Sequence, residues 1–197
     1  MPRLEEFVGR EIEPHLDALG ELRIQVFREF PYLYDGSLAN EHQYLRRYLD
    51  SSRSLVVLAF DGDRAVGATT CVPMADEMAE FQAPFLSANQ PLEDICYFGE
   101  SILLHDYRGR GIGHSFFDRR EAHARRLGLA ITTFCAVDRP DHHPLRPPDY
   151  RSLESFWLGR GYLRRPDLRA ALAWREIQDA SESTKTLTFW LKEWRQT

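Results

Sequence analysis

A chain of 197 residues is long enough for one domain with a real core and short for more than two very small ones. At 43% apolar, 12% aromatic and 28% charged, its composition is globular and excludes a disordered or fibrous chain. The net charge of −5 argues against duplex nucleic acid as the main partner, because neutralising phosphates takes a basic face.

The start, MPRLEEFVGREIEP, is too charged for the apolar part of a signal peptide. The longest apolar run, LVVLAF at 55–60, has the length of a strand and not of a membrane span. Three cysteines, Cys71, Cys96 and Cys135, show no CxxC spacing and suit reduced core thiols in a cytosolic protein.

A helix-period pattern runs from about His15 to Arg28, with Leu16, Leu19, Leu22, Val26 and Phe27 on one side. PYLYDG (31–36) breaks it, and a second helix is expected over 38–50. SLVVLAF and RAVGATTCV flank Asp61-Gly62-Asp63 and predict a hairpin. After a short helix and loop over 75–90, ICYFGESILL (95–104) reads as a strand ending at a glycine-rich turn. A helix follows from Gly113 to Leu127, its apolar stripe interrupted by Arg120; Gly128 closes it. LAITTFCAV (129–137) is the next strand, DRPDHHPLRPPDY a loop, and 151–159 a helix. AALAWREI (170–177) and TLTFWLKEW (186–194) are closing strands around the turn DASESTK. Neither a repeat nor a linker divides the chain, so 1–197 reads as one α/β domain.

The turn itself, Arg108-Gly109-Arg110-Gly111-Ile112-Gly113, places glycine at every second position, which is costly inside a regular element. Between a strand and a helix, such a turn exposes backbone N–H groups where the helix dipole favours an anion. It is not a P-loop, since no Gly-Lys-Ser/Thr opens the helix, and not a dinucleotide fingerprint, since His114 and Phe116 stand where a third glycine would be required. The hexapeptide resembles the R/Q-x-x-G-x-G/A signature of the GNAT superfamily of N-acetyltransferases, and the order of elements resembles that family over nearly the whole chain. FWLGRGY (156–162) is similar to the family's last helix running into a Gly-aromatic pair, here Gly161-Tyr162.

The resemblance implies a mixed, mostly antiparallel sheet of about six to seven strands, split into a V at the central strand and flanked by about four to five helices. It implies acetyl-CoA as co-substrate, with backbone groups of Ser101, Ile102 and Leu103 along the pantetheine arm and Arg108, Gly109, Arg110, Gly111, Ile112 and Gly113 around the pyrophosphate. The acceptor would be a small-molecule or peptide amine that attacks directly, with neither metal, nucleic acid nor membrane involved; a homodimer is compatible with it. The base would be Glu100, a carboxylate in an otherwise apolar strand, or Tyr97 if the opposite face of the strand, shared by Tyr97, Gly99 and Ser101, meets the substrate. A bulge near Gly99 would exchange the faces. Tyr32, Tyr34 and Asp35, in the segment joining the first two helices, offer aromatic faces and a charge suited to an ammonium.

The departure from the family pattern is Trp157, which stands four residues before Gly161 where many members carry a tyrosine acid. It leaves room for a catalytically silent CoA-binding protein. Other readings carry less. Asp138, Asp141, His142 and His143 form a polar loop without metal-ligand spacing; Cys135 is a core thiol; Arg119, Arg120, Arg125 and Arg126 form a solvated helix face or, in a third reading, a nucleic-acid patch.

Overall fold

A computed structural model describes residues 2–194. In chain order it contains β1 (Arg3–Val8), α1 (Leu16–Phe27), α2 (Leu38–Asp50), β2 (Leu55–Asp61), β3 (Arg64–Pro73), α3 (Ala79–Ser87), β4 (Ile95–Leu103), α4 (Ile112–Arg126), β5 (Ile131–Val137), α5 (Glu154–Gly159), β6 (Leu163–Trp174) and β7 (Ser183–Glu193). The strands form one sheet in the order β1-β2-β3-β4-β5-β7-β6, antiparallel except between β4 and β5. No described helix is long and apolar enough to cross a membrane.

The expected α/β domain, with its hairpin, central strand and glycine turn opening a helix, is what the chain adopts. Two differences stand out. β1 was not expected: RLEEFV carries charge at half its positions, which an edge strand tolerates because one side faces water. β6 begins at Leu163 instead of 170, running through Pro166, and ends at Trp174. A register shift between Arg165 and Arg169 accommodates the proline on this second edge.

Helices cover both faces. Arg23 of α1 and Tyr48 of α2 meet one face of β4, and α3 stacks Phe81 on Tyr97 there, with ring centroids 4.8 Å apart. On the other face Phe117 of α4 packs edge-on to Phe98 at 6.0 Å, and Phe156 of α5 packs on Phe117 at 5.4 Å.

Two irregularities in β4 position everything that follows. The parallel ladder with β5 lasts only from Ile95↔Ile131 to Tyr97↔Thr133, and beyond it the strands separate. On its other side β4 pairs Phe98 with Cys71 and Ser101 with Thr69, so Gly99 and Glu100 together oppose Thr70. This two-for-one bulge brings the backbone close to α2: a Cβ at Gly99 would lie 2.0 Å from the Tyr48 hydroxyl and 2.6 Å from Thr70 Oγ1.

The segment between α1 and α2 is fastened to the β6–β7 end of the sheet. Asp35 N–H donates to Arg175 O (2.9 Å), Ile177 N–H to Leu33 O (2.7 Å), and Trp174 Nε1 to Tyr32 O (3.0 Å). Arg139, just past β5, donates to the carbonyls of Pro31 (2.6 Å) and Tyr32 (3.1 Å) and pairs with Glu176 at 2.5 Å. Burial would raise the Glu176 carboxyl, but Arg139 and Lys185 outweigh it and hold it below the usual glutamate value. This contribution is therefore present near neutrality and is lost as pH falls through that lowered value.

Gly99→Ala should destabilise the fold by about 1–3 kcal/mol, measured by denaturant unfolding, because the added methyl overpacks the bulge. Adding Tyr48→Phe should recover part of the loss; strict additivity in the double mutant would refute the contact. Arg139→Gln should cost about 1–2 kcal/mol, since Pro31 O loses its donor while Glu176 keeps Lys185 and Tyr32 O keeps Trp174. It should also accelerate hydrogen exchange at Tyr34, Asp35 and Ile177, and unchanged exchange there would show that the β6–β7 end of the sheet holds the segment without Arg139.

Candidate functional site

Where β4 and β5 part, the edge of β4 from Phe98 to Leu103 faces β5 without a ladder. The strand then passes through a short helical turn, His105–Tyr107, into the glycine turn. Gly109 and Gly111 both take positive φ, +73° and +81°, and nothing lies within 4 Å of a Cβ built on either. Among the described residues, the N–H groups of Gly109, Arg110, Gly111, Ile112 and Gly113 find no acceptor. The result is an open ring of donors at the N-terminus of the 15-residue helix α4, where the dipole adds positive potential. Arg108 borders it, donating to Leu103 O at 3.0 Å and pairing with Glu29 at 2.8 Å.

The bulge reverses the face expected for Glu100. Plain alternation puts Glu100 opposite Tyr97, but the extra residue turns its side chain to the side of Tyr97 and Gly99, under α1 and α2. There Arg23 Nη1 lies 2.6 Å from Glu100 Oε2, and Arg23 Nε donates to Glu41. The Tyr44 hydroxyl is 3.4 Å from the same Glu100 oxygen. Tyr44 is itself stacked between two guanidinium groups, Arg23 at 3.9 Å and Arg47 at 3.7 Å, and Arg47 pairs with Glu77. Burial opposes charge on Arg23, yet Glu100, Tyr44 and Glu41 outweigh it and hold its pKa above the ordinary arginine value. Burial raises Glu77 despite Arg47. Glu100 Oε1, Glu41 Oε1 and Glu77 Oε2 are buried without a hydrogen-bond partner, as is Arg23 Nη1, which meets Glu100 Oε2 as an ion pair.

The opposite face stabilises the bulge. The Glu100 carbonyl accepts from Thr69 Oγ1 at 2.8 Å and from Arg120 Nη1 at 3.4 Å. Arg120 is thus no part of a solvated helix face: it is 2% exposed, lies over Phe98 and Phe117 at 4.3 and 4.6 Å, and burial lowers its pKa. Arg119 and Arg126 do reach the surface, both toward Glu6.

Tyr97 closes the ladder at the apex of the split, its hydroxyl 3.3 Å from Cys135 Sγ. Burial, then Cys135, pushes that phenol well above its ordinary pKa, and burial pushes the Cys135 thiol up to about 12. Tyr32 packs against Phe27 (4.6 Å) and Trp174 (6.0 Å). Asp35 is held between Arg28 (2.9 Å) and Arg175 (2.7 Å), so its charge is already compensated. Tyr34 lines a crevice of about 290 Å³ with Asp35, Asn40, Arg175 and Glu182. Trp157 is partly buried and packs against the core, 5.0 Å from Phe134 and 5.1 Å from Trp190. Tyr162 is fully buried and bonds Thr132 (3.0 Å) and Glu121 (3.2 Å). In the loop after β5, Asp138 accepts from Thr188 and Arg164, and Asp141 pairs with Arg146. Among the described residues no three His, Cys, Asp or Glu side chains gather as metal ligands.

Sequence reading missed Arg23, Glu41, Tyr44 and Arg139. For the first two a signal existed. Leu19, Leu22, Arg23 and Val26 share the i, i+3, i+4, i+7 stripe of α1, and Glu41, Tyr44, Leu45 and Tyr48 share that of α2. A charge in each apolar stripe announces a buried partner. Nothing comparable marks Arg139.

The profile of the Acetyltransferase (GNAT) family matches residues 20–146, well over half the chain. No curated protein matches the sequence. Among solved structures, a ribosomal-protein-alanine N-acetyltransferase from Brucella melitensis superposes with a TM-score of 0.62 at 14% identity, covering 97% of this chain and 99% of the other. The putative acetyltransferase yncA from Salmonella typhimurium, solved with its cofactor acetyl-CoA, gives 0.57 at 11% identity, covering 99% and 96%. The paia N-acetyltransferase from Thermoplasma acidophilum, in complex with coenzyme A, gives 0.54 at 13% identity, covering 98% and 99%. At these identities the structural likeness is one of fold; together with the profile match it shows that the chain belongs to the GNAT family of acetyltransferases.

Proposed function

We propose that the protein transfers an acetyl group from acetyl-CoA to a primary amine, on a small molecule or a peptide, by direct attack of the amine on the thioester. The observation that carries this reading is the continuity between the unpaired edge of β4 and a turn whose N–H groups from Gly109 to Gly113 have no acceptor. A ligand with an amide-bearing arm joined to a pyrophosphate suits both parts at once. The empty space beside Gly109 and Gly111 admits phosphate oxygens to the backbone. The acetyl-CoA and coenzyme A in the Salmonella and Thermoplasma structures support the same ligand here.

Acetyl-CoA supplies an activated thioester; the chain supplies position and proton handling. Backbone groups of Ser101 to Leu103 orient the arm, and Arg108 adds charge beside the turn. Glu100 removes a proton from the acceptor ammonium, directly or through one water. The amine nitrogen then bonds the acetyl carbon while the carbon–sulfur bond breaks, its electron pair remaining on sulfur; the acylated nitrogen sheds its second proton to solvent and sulfur takes one from solvent. Glu100 is the better base than Tyr97, whose phenol stays protonated near neutrality. Tyr34 and the crevice beside it offer polar contacts to the acceptor's distal part. The second reading, a silent CoA-binding protein, draws on Trp157, which is committed to core packing where many relatives carry an acid.

Acetyl-CoA at about 100 times its dissociation constant should raise the melting temperature by roughly 5–10 °C. Gly111→Asp should abolish that rise by putting a carboxylate among the donors; a mutant that still responds refutes the cofactor site. Thiol release with a panel of alkylamines, polyamines and short peptides tests the activity. Glu100→Gln should lower turnover about 100-fold or more while keeping the acetyl-CoA thermal shift. A wild-type protein that shifts with acetyl-CoA but releases no thiol with any amine favours the silent reading.

A further inference from the structure

Groups from every element packed around the Glu100 side chain face it: Arg23 from α1, Glu41, Tyr44, Arg47 and Tyr48 from α2, and Glu77 from the turn after β3. β3 contributes Thr70, whose Oγ1 accepts from Glu100 N–H at 3.1 Å, while Arg120 on α4 reaches only the carbonyl. Among these, Arg23 alone touches two carboxylates, and the side chains of both Glu41 and Glu100 are 1% exposed. Glu41 in turn lies beside Tyr34, whose phenol burial and then Glu41 push up to about 12.

Sharing matters at the moment Glu100 takes a proton. A buried guanidinium whose sole counter-ion became neutral would be an uncompensated interior charge, a state proteins strongly disfavour. With Glu41 in place, Arg23 keeps a counter-ion in both protonation states of Glu100. Arg23 also occupies only Oε2, so Oε1 of Glu100 is buried yet unpartnered.

We propose that Arg23 and Glu41 are positioning residues for acyl transfer: Arg23 holds Glu100 by one oxygen with the other left to receive the amine's proton, and Glu41 keeps the guanidinium compensated so that Glu100 accepts that proton readily. This rests on Glu100 being the base. Proton and charge balance: the ammonium loses one proton, which Glu100 gains; the second proton that the acylated nitrogen sheds is matched by the one sulfur takes, and the Glu41–Arg23 pair carries no net charge before or after.

The test is Glu41→Gln with Glu41→Asp beside it, the latter retaining the charge but withdrawing it from Arg23. In both, the acid limb of the kcat/KM–pH profile should move to lower pH, by about one unit or more for Glu41→Gln. The plateau rate should fall, because a weaker base takes the proton less well. An independent readout is infrared titration of the wild type against Glu100→Gln. The protonated-carboxyl band that this substitution removes should emerge only at lower pH in the Glu41 variants. A purely structural role would lower the melting temperature and leave limb and band in place, which would overturn the proposal. Wild-type turnover in Glu100→Gln would instead remove the base assignment itself, and the tuning of that base with it.

Discussion

β4 carries one residue more than β3 can pair, and the consequences of that surplus run through the molecule. Opposite Thr70 the strand must fit both Gly99 and Glu100, so the side-chain alternation slips by one. Before the bulge, Phe98 faces α4; after it, Glu100 faces α1 and α2 instead of following Phe98. The bulge needs a residue without Cβ beside Tyr48, which Gly99 supplies, and a substitute acceptor and donors for the disrupted ladder. Thr70 Oγ1 takes the Glu100 N–H, and Thr69 and Arg120 serve its carbonyl. These contacts lie just past Tyr97, where β4 and β5 part, so the carboxylate and the unpaired strand edge belong to the same few residues.

Turning a carboxylate inward obliges the covering helices to answer it. A buried charge without a partner would cost more than the site could stand, and α1 supplies Arg23 from its apolar stripe. One arginine then needs more than one partner, and α2 supplies Glu41. Tyr44 separates Arg23 from Arg47, its two faces each taking a guanidinium, which lets two like charges lie close without touching. Glu77 completes the set beside Arg47. Three carboxylates and two guanidiniums thus sit under the sheet, an assembly with room for one further positive charge or proton.

How much of this the sequence disclosed depends on the range over which each feature is specified. The hairpin at Asp61-Gly62-Asp63 and the turn at Gly109 to Gly113 are local: their glycines carry the left-handed backbone in their own spacing, and both were legible. The bulge is not local, because it is a mismatch between β4 and a register fixed some 30 residues away on β3; a glycine near it could only hint. Arg23 and Glu41 were readable as charges at apolar positions, though their shared partner Glu100 was not. Arg120 showed the same signal on α4, and its burial at the bulge carbonyl explains the interruption of that stripe. Arg139 and β1 act through pairings with distant backbone, which no periodicity records.

Trp157 bears on the chemistry less heavily than its place in the family pattern suggests. Two proton transfers of direct aminolysis, one from the acceptor ammonium and one to the leaving thiolate, are unequal in difficulty. An alkylammonium resembles lysine, with a pKa of about 10.4, and must lose its proton before it can attack. The departing thiol resembles cysteine, at about 8.5, so near neutrality a thiolate can leave first and collect its proton from water. A site can therefore relinquish its acid and keep working, whereas it cannot relinquish the base. Under the proposed function, with Glu100 as the base, the distribution of buried polar groups follows that asymmetry: position 157 is given to an indole packed against Phe134 and Trp190, and the costly interior charges are concentrated around Glu100.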